Sequence, residues 1–239
     1  MLAMNAIGKQ VLRNLGYEVT RTSNVGVDVF QDMRRFLGNS ERFVIFDIGA
    51  NEGNMARQFR KHFAGAEIHC FEPNPPTFHV LRETTASDAS IKIWDHGMAA
   101  ARSRQVLYEN ENSLLNSFLP LGNYESGGRV INHTEVELET VDHFCHQHGI
   151  NKIGILKSDT EGYDLEVLKG ARAMLETGSV RLVYFEVNFA EKYVGQGSFG
   201  QQFDLLQSCG FRFVSFYQIF RENDVATWTD ALFVHSSVI

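Results

Sequence analysis

The chain has 239 residues, 44% hydrophobic and 21% charged, which suits one large α/β domain with a substantial core and excludes a disordered polymer. The formal charge of -7, without any block of Lys or Arg, argues against a protein whose partner is a nucleic-acid backbone. Cys70, Cys145 and Cys209 are scattered and form no CxxC pair, so they read as reduced structural thiols. Met1 to Val19 is interrupted by Lys9, Arg13 and Glu18 and lacks the apolar segment and cleavage site of a signal peptide. No stretch approaches the roughly 18 apolar residues of a spanning helix. The expectation is a soluble cytoplasmic protein with no membrane partner.

In chain order, residues 1–40 read as an N-terminal helical extension. Leu12, Leu15, Val19, then Val29, Met33, Phe36 and Leu37 recur at helical spacing, broken by a turn at Thr22-Ser23-Asn24-Val25-Gly26. Residues 41–239 form the main domain. Phe43 to Phe46 is a buried-strand run ending at Asp47, and Met55, Phe59 and Phe63 mark a helix. Glu67 to Phe71 is a second strand, Pro75 to about Thr85 a second helix, and Ile91 to Trp94 a third strand. Residues 105–135 are the least regular, and a long loop in a compact domain reads as a lid or substrate-binding insertion. Gly154 to Lys157 and Arg181 to Phe185 are further strands, separated by one helix bearing Leu165, Leu168, Ala171 and Leu175. A last helix carries Phe203 and Leu206. Phe211 to Val214 and Ala231 to Val234 follow with no helix between them, implying an antiparallel edge hairpin on an otherwise parallel, doubly covered sheet.

Asp47-Ile48-Gly49-Ala50-Asn51-Glu52-Gly53 follows a strand and opens a helix, where ligands bind in open parallel sheets. Gly49 permits a sharp turn and close approach, and Gly53 permits close packing at the helix start. Amides at that helix start favour a carboxylate, and Asp47 suits a direct or water-mediated contact with an ammonium group. Glu72, ending the next strand in Phe71-Glu72-Pro73-Asn74, is placed to accept hydrogen bonds from both hydroxyls of a ribose. The Gly49-x-x-x-Gly53 spacing departs from the G-x-G-x-x-G of a nicotinamide-dinucleotide site.

Phe46-Asp47-Ile48-Gly49-Ala50-Asn51-Glu52-Gly53, Phe71-Glu72-Pro73-Asn74 and Leu156-Lys157-Ser158-Asp159-Thr160-Glu161-Gly162 resemble the three signature blocks of the FkbM-type methyltransferases. Val167-Leu168-Lys169-Gly170-Ala171 and Phe185-Glu186-Val187 also fit, and the resemblance spans about residues 43–236. Thr160 and Tyr163 depart from it, standing where an aliphatic and a small residue are common. The resemblance implies the class I methyltransferase fold. That is a Rossmann-like, seven-stranded, mainly parallel sheet with an antiparallel last strand and helices on both faces. The implied cofactor is S-adenosyl-L-methionine, held by Asp47, Gly49, Ala50, Asn51, Gly53, Glu72 and Asn74.

Asp159 and Glu161 end the fourth strand, and Glu186 and Asn188 the fifth, so these groups converge beside the donor methyl as candidate catalytic residues. Two chemistries stay open. Asp159 and Glu186, with Asn188 or Glu161, form an oxygen set for a Mg²⁺- or Ca²⁺-like divalent cation, or one carboxylate acts as a metal-free general base. In a third reading Asp159 caps the following helix and Glu161 sits in its first turn. Lys157 reads as a solvated strand-end lysine and His96 as a satisfied surface histidine. Asp142 to His148 resembles a zinc cluster, but helical spacing turns His143 and His146 outward from Val141, Phe144, Cys145 and His148. The aromatic tail from Phe211 to Phe220 reads as a half-buried strand.

The expected activity is O-methylation of a sugar or natural-product hydroxyl, with a small-molecule or carbohydrate-like acceptor. The rivals are N-methylation of an amide or amine, a non-catalytic binding module on the same scaffold, and a nicotinamide oxidoreductase.

Overall fold

The computed structural model describes residues 6–17, 20, 24–38, 42–122 and 128–239; Glu18, Val19, Thr22 and Ser23 of the sequence reading, and part of its 105–135 stretch, lie outside them. Helices α1 (Ala6–Asn14) and α2 (Val29–Leu37) precede β1 (Val44–Ile48), α3 (Asn54–His62), β2 (Glu67–Phe71), α4 (Pro75–Thr85) and β3 (Ile91–Trp94). Then come β4 (Gly97–Met98), β5 (Ser103–Asn110), β6 (Val130–Glu139), α5 (Val141–His148), β7 (Ile153–Ser158), α6 (Asp164–Gly170) and α7 (Arg172–Glu176). The chain closes with β8 (Val180–Asn188), α8 (Phe199–Ser208), β9 (Phe211–Glu222) and β10 (Val225–His235).

Seven strands form one sheet in the order β3-β2-β1-β7-β8-β10-β9. Pairs from β3 to β8 are parallel, and β10 runs antiparallel to both β8 and β9. The last strand is therefore inserted between β8 and β9, and β9 is the edge. The β1, β2, β7 and β8 runs are buried along nearly their whole length, as strands covered on both faces must be. One core cluster holds Phe46, Phe144, Leu156, Val183 and Phe233, and another holds Met33, Phe59, Ile68, Ile155 and Leu232. Helix starts carry their own signals: Asn74 accepts from Thr77 N (3.1 Å) ahead of Pro75, and Ser198 with Gln201 completes a capping box.

Helix α2, within the expected N-terminal extension, packs against the sheet domain. Met33 and Leu37 are buried, Arg181 donates to Phe36 O and Leu37 O (both 3.1 Å), and Tyr217 donates to Asp32 (2.8 Å). The two ends of the region expected to be an irregular insertion are strands, β5 and β6. β5 pairs antiparallel with β6, and β4 adds to it, as a second three-stranded sheet. Val136 and Leu138 point inward between outward Glu135 and Glu137, a half-buried alternation that charged residues obscure. The single helix expected after β7 is two, α6 and α7, broken at Ala171. A Cβ on Gly170 would stand 1.9 Å from Ala99 O, so this glycine lets the helix end against the β4 segment. On α5, Val141, Phe144 and Cys145 are buried, while His143 bonds Glu139 (2.9 Å) and His148 packs on Phe144 and Trp94. Phe211, Phe213 and Phe216 contribute to the aromatic packing around Phe199, Phe203 and Phe233. No helix of the described residues is long and apolar enough to cross a membrane.

Candidate active site

The carboxyl ends of β1, β2, β7 and β8 meet at one edge of the sheet, and the loop after β1 is built to lie close there. Gly49 N and Ala50 N donate to Phe71 O (both 3.0 Å), and Asp159 N donates to Ile48 O (3.0 Å). Gly49 has φ +71°, and a Cβ there would stand 1.9 Å from Asp159 O. Only glycine satisfies both constraints. Asn51 also has positive φ (48°), a conformation costly for a non-glycine residue and retained where the surroundings hold it. They do: its N–H donates to Glu72 Oε2 (2.9 Å) and its amide to Ser113 O (3.2 Å). The other Glu72 oxygen accepts from Asn74 N (2.9 Å). Burial pushes the Glu72 carboxyl up to about 7, against the pull of the Asn74 and Asn51 amides.

Beneath the loop lies an ion pair the sequence reading misplaced. Lys157 is 3% exposed, not solvated; its Nζ is 2.9 Å from the fully buried Asp47 and donates to Gly49 O (3.0 Å). Burial alone would lower the Lys157 pKa, but the Asp47 and Asp159 carboxylates outweigh it and hold the ammonium charged. Asp47 is thus sealed under the loop and bound to a lysine, not open to a ligand's ammonium group.

Two cavities flank this edge. The first is lined by Gly49, Asn51 and Glu72 with the apolar Phe71, Met98, Leu107 and Phe118. Of the predicted cofactor residues, Gly49, Asn51 and Glu72 face it. Asp47, Ala50, Gly53 and Asn74 do not line it: Ala50 and Gly53 shape the loop, and Asn74 caps α4. The second cleft is lined by Asp159, Glu161, Tyr184, Glu186, Asn188, Lys192, Trp228 and Asp230 among others. Asp159, Glu161 and Leu114 line both. The two spaces meet at the acidic pair.

The expected convergence is present: one carboxylate oxygen from each of Asp159, Glu161 and Glu186 lies within 4.8 Å of the others. Their partners were not anticipated. Lys192 Nζ (2.5 Å) and the Tyr193 hydroxyl (2.7 Å) both reach Glu161 Oε2, and Asn188 donates its amide to Glu186 (2.9 Å). An ammonium group already stands against the acidic set, and Asn188 offers it a donor. Burial raises Glu161 to about 7, opposed chiefly by Lys192. Burial and then the Glu161 and Asp159 charges drive Glu186 well above the carboxylate range. Glu161 itself has φ +52°, and Ser117 Oγ donates to its carbonyl (2.7 Å).

Asp159 is not a helix cap, and Glu161 is not in a first turn. α6 starts at Asp164, which instead takes Ser158 Oγ (2.5 Å) and Thr160 N (3.2 Å). His96 is half-buried with Nε2 sealed and unpartnered, and it lines a separate cavity with Trp94 and His148. Lys192 and Tyr193 lie in the irregular link between β8 and α8, where no periodicity marks them. Trp228 and Asp230 carried a signal, since they share one parity of the closing strand.

A parallel sheet with one inserted antiparallel strand, and a glycine-shaped loop after β1 beside an acidic β2 end, define the S-adenosylmethionine-dependent class I methyltransferase fold. Residues 47–213 match the family described as methyltransferase FkbM domain. The chain belongs to that family. It is 27% identical over 175 residues to the 2-O-methyltransferase NoeI of Sinorhizobium fredii (strain NBRC 101917 / NGR234), covering 69% of this chain and 71% of the relative. Among solved structures, methyltransferase FkbM from Methylobacillus flagellatus KT superposes with a TM-score of 0.54 at 14% identity. The match covers 82% of this chain but only 44% of that one, so the chain spans under half the length of that structure.

Proposed function

We propose that this methyltransferase acts on a hydroxyl of a small, sugar-like acceptor seated in the second cleft, with S-adenosylmethionine in the first. The observation that carries the reading is the junction. Asp159 and Glu161 border both cavities, so an acceptor oxygen there faces the donor without leaving the carboxylates. The cofactor, when bound, supplies an activated methyl group on a sulfonium. Glu72 takes the ribose hydroxyls, and Phe71, Met98, Leu107 and Phe118 flank the adenine. Glu161 removes the hydroxyl proton; its carboxyl near 7 suits a base at neutral pH. Asp159 and Glu186 orient the acceptor. The similarity to a protein named as a 2-O-methyltransferase supports oxygen as the methylated atom.

This reading needs no metal ion: the Lys192 ammonium already pairs with Glu161 at the acidic set. A second reading, methyl transfer to an amine, draws on the same acidic lining, which attracts a protonated amine.

The test uses methyl-¹³C-labelled S-adenosylmethionine with a panel of glycosides, amines and peptides. Labelled O-methyl carbon in the product supports the proposal, whereas label found only on nitrogen overturns it. Glu72→Ala removes two charge-assisted hydrogen bonds to the ribose. Its dissociation constant for S-adenosylmethionine, measured by calorimetry, is expected to rise about 100-fold, or roughly 3 kcal/mol. Unchanged affinity contradicts the ribose role.

A further inference from the structure

One wall of the second cleft is formed by β10, and the strand is distorted around a single side chain. Pairing between β10 and β9 shifts register on both sides of Trp228, between Ala226 and Trp228 and again between Trp228 and Asp230. Gln218, on the facing strand, has φ +49°. Flanking threonines pin the distortion, with Thr227 Oγ1 donating to Phe220 O (3.2 Å) and Thr229 Oγ1 to Tyr217 O (2.9 Å). Bulges re-aim side chains, and they recur beside functional sites. Here they frame a half-buried indole. Phe220 stacks on it at 3.6 Å and 11°, and of the two rings only Trp228 lines the cleft.

The polar groups around the indole narrow what it receives. Trp228 stands opposite Asn188 in the β8–β10 register, and Asp230 opposite Glu186. The cleft carries five carboxyl groups (Asp159, Glu161, Glu186, Glu222 and Asp230), of which burial holds Glu186 protonated, and two lysines, each already paired with a carboxylate. A phosphate or carboxylate on the acceptor would meet like charge at this wall. An uncharged ring with several hydroxyls would not. Its hydroxyls donate to the carboxylates, and its C–H face lies against the indole, whose π face is electron-rich.

We infer that Trp228 is the acceptor-binding platform of this enzyme, stacking on an uncharged pyranose ring and holding its hydroxyl toward Asp159 and Glu161. The inference rests on the proposed hydroxyl transfer and adds the ring class and the residue that selects it.

The experiment uses the full chain saturated with S-adenosylhomocysteine, in a Trp94→Phe background that leaves Trp228 as the one tryptophan reporter. Neutral methyl glycosides are titrated by tryptophan fluorescence beside glucuronate and glucose 6-phosphate. A neutral glycoside is expected to perturb Trp228 emission at concentrations at least tenfold below either anion. In turnover assays on otherwise wild-type protein, Trp228→Ala should raise the acceptor KM about tenfold (~1.4 kcal/mol), more than it lowers kcat. Trp228→Phe should recover most of the loss, and cofactor affinity should stay unchanged, which separates the platform from misfolding. If hydroxyl transfer proceeds but the acceptor KM ignores Trp228→Ala, or the anions bind as well as the neutral rings, the platform is overturned and the proposed reaction stands. If no hydroxyl acceptor is methylated at all, the reaction class fails and the platform fails with it.

Discussion

Replacing Lys157 by Met is expected to lower the melting temperature by about 10 °C. The substitution keeps the aliphatic stem and removes the charge, leaving Asp47 fully buried without a counter-ion. Breaking a buried pair in this way costs about 3–5 kcal/mol, and in a chain of this size each kcal/mol is worth roughly 2–4 °C. Removing both charges in Lys157→Met with Asp47→Asn should recover much of the loss, because a neutral buried pair carries no desolvated charge. Scanning calorimetry on the two variants checks this, and a single variant melting within a degree or two of the wild type contradicts it. The functional consequence follows from the same contact. Lys157 also holds the Gly49 carbonyl, so the single variant should lose cofactor affinity along with stability.

The second large effect is chemical. Glu161→Gln keeps size and hydrogen-bonding reach but cannot take a proton, so kcat is expected to fall by roughly 10²–10⁴-fold with little change in fold. As the proposed base, Glu161 must be ionised in the wild type, and burial raises its carboxyl to about 7. kcat/KM should therefore rise with pH below about 7 and level off above it. The sign extends to Lys192, whose ammonium opposes the effect of burial on Glu161. Lys192→Met should displace the acid limb to higher pH. A Glu161→Gln enzyme that retains both the rate and the limb shows that the proton goes elsewhere.

The parallel core was legible because its physics is local. Strands covered on both faces need unbroken apolar runs, and Val44 to Phe46 and Leu182 to Phe185 supply them. The meeting of Asp159, Glu161 and Glu186 followed from one rule, that parallel strands deliver their ends to one edge. What escaped depends on pairings across strands. Lys157 read as solvated because Asp47 lies on the neighbouring strand, in register with it, a relation no sequence spacing reveals. The β5–β6 arm escaped because a half-buried strand rich in Glu, Asn and Arg presents too few apolar residues. The break at Ala171 depends on Gly170 meeting Ala99, far away in sequence. Lys192 and Tyr193 sit on a link without periodicity, so only the fold brings them to Glu161.

The loop from Asp47 to Gly53 is a donor site only if the space it borders opens onto the acidic junction. A crystal structure with S-adenosylhomocysteine bound tests that most directly. The ribose hydroxyls should lie on the Glu72 carboxylate, with the sulfur at the junction facing Asp159 and Glu161. A ribose away from Glu72, or a sulfur turned from both acidic residues, would contradict the account.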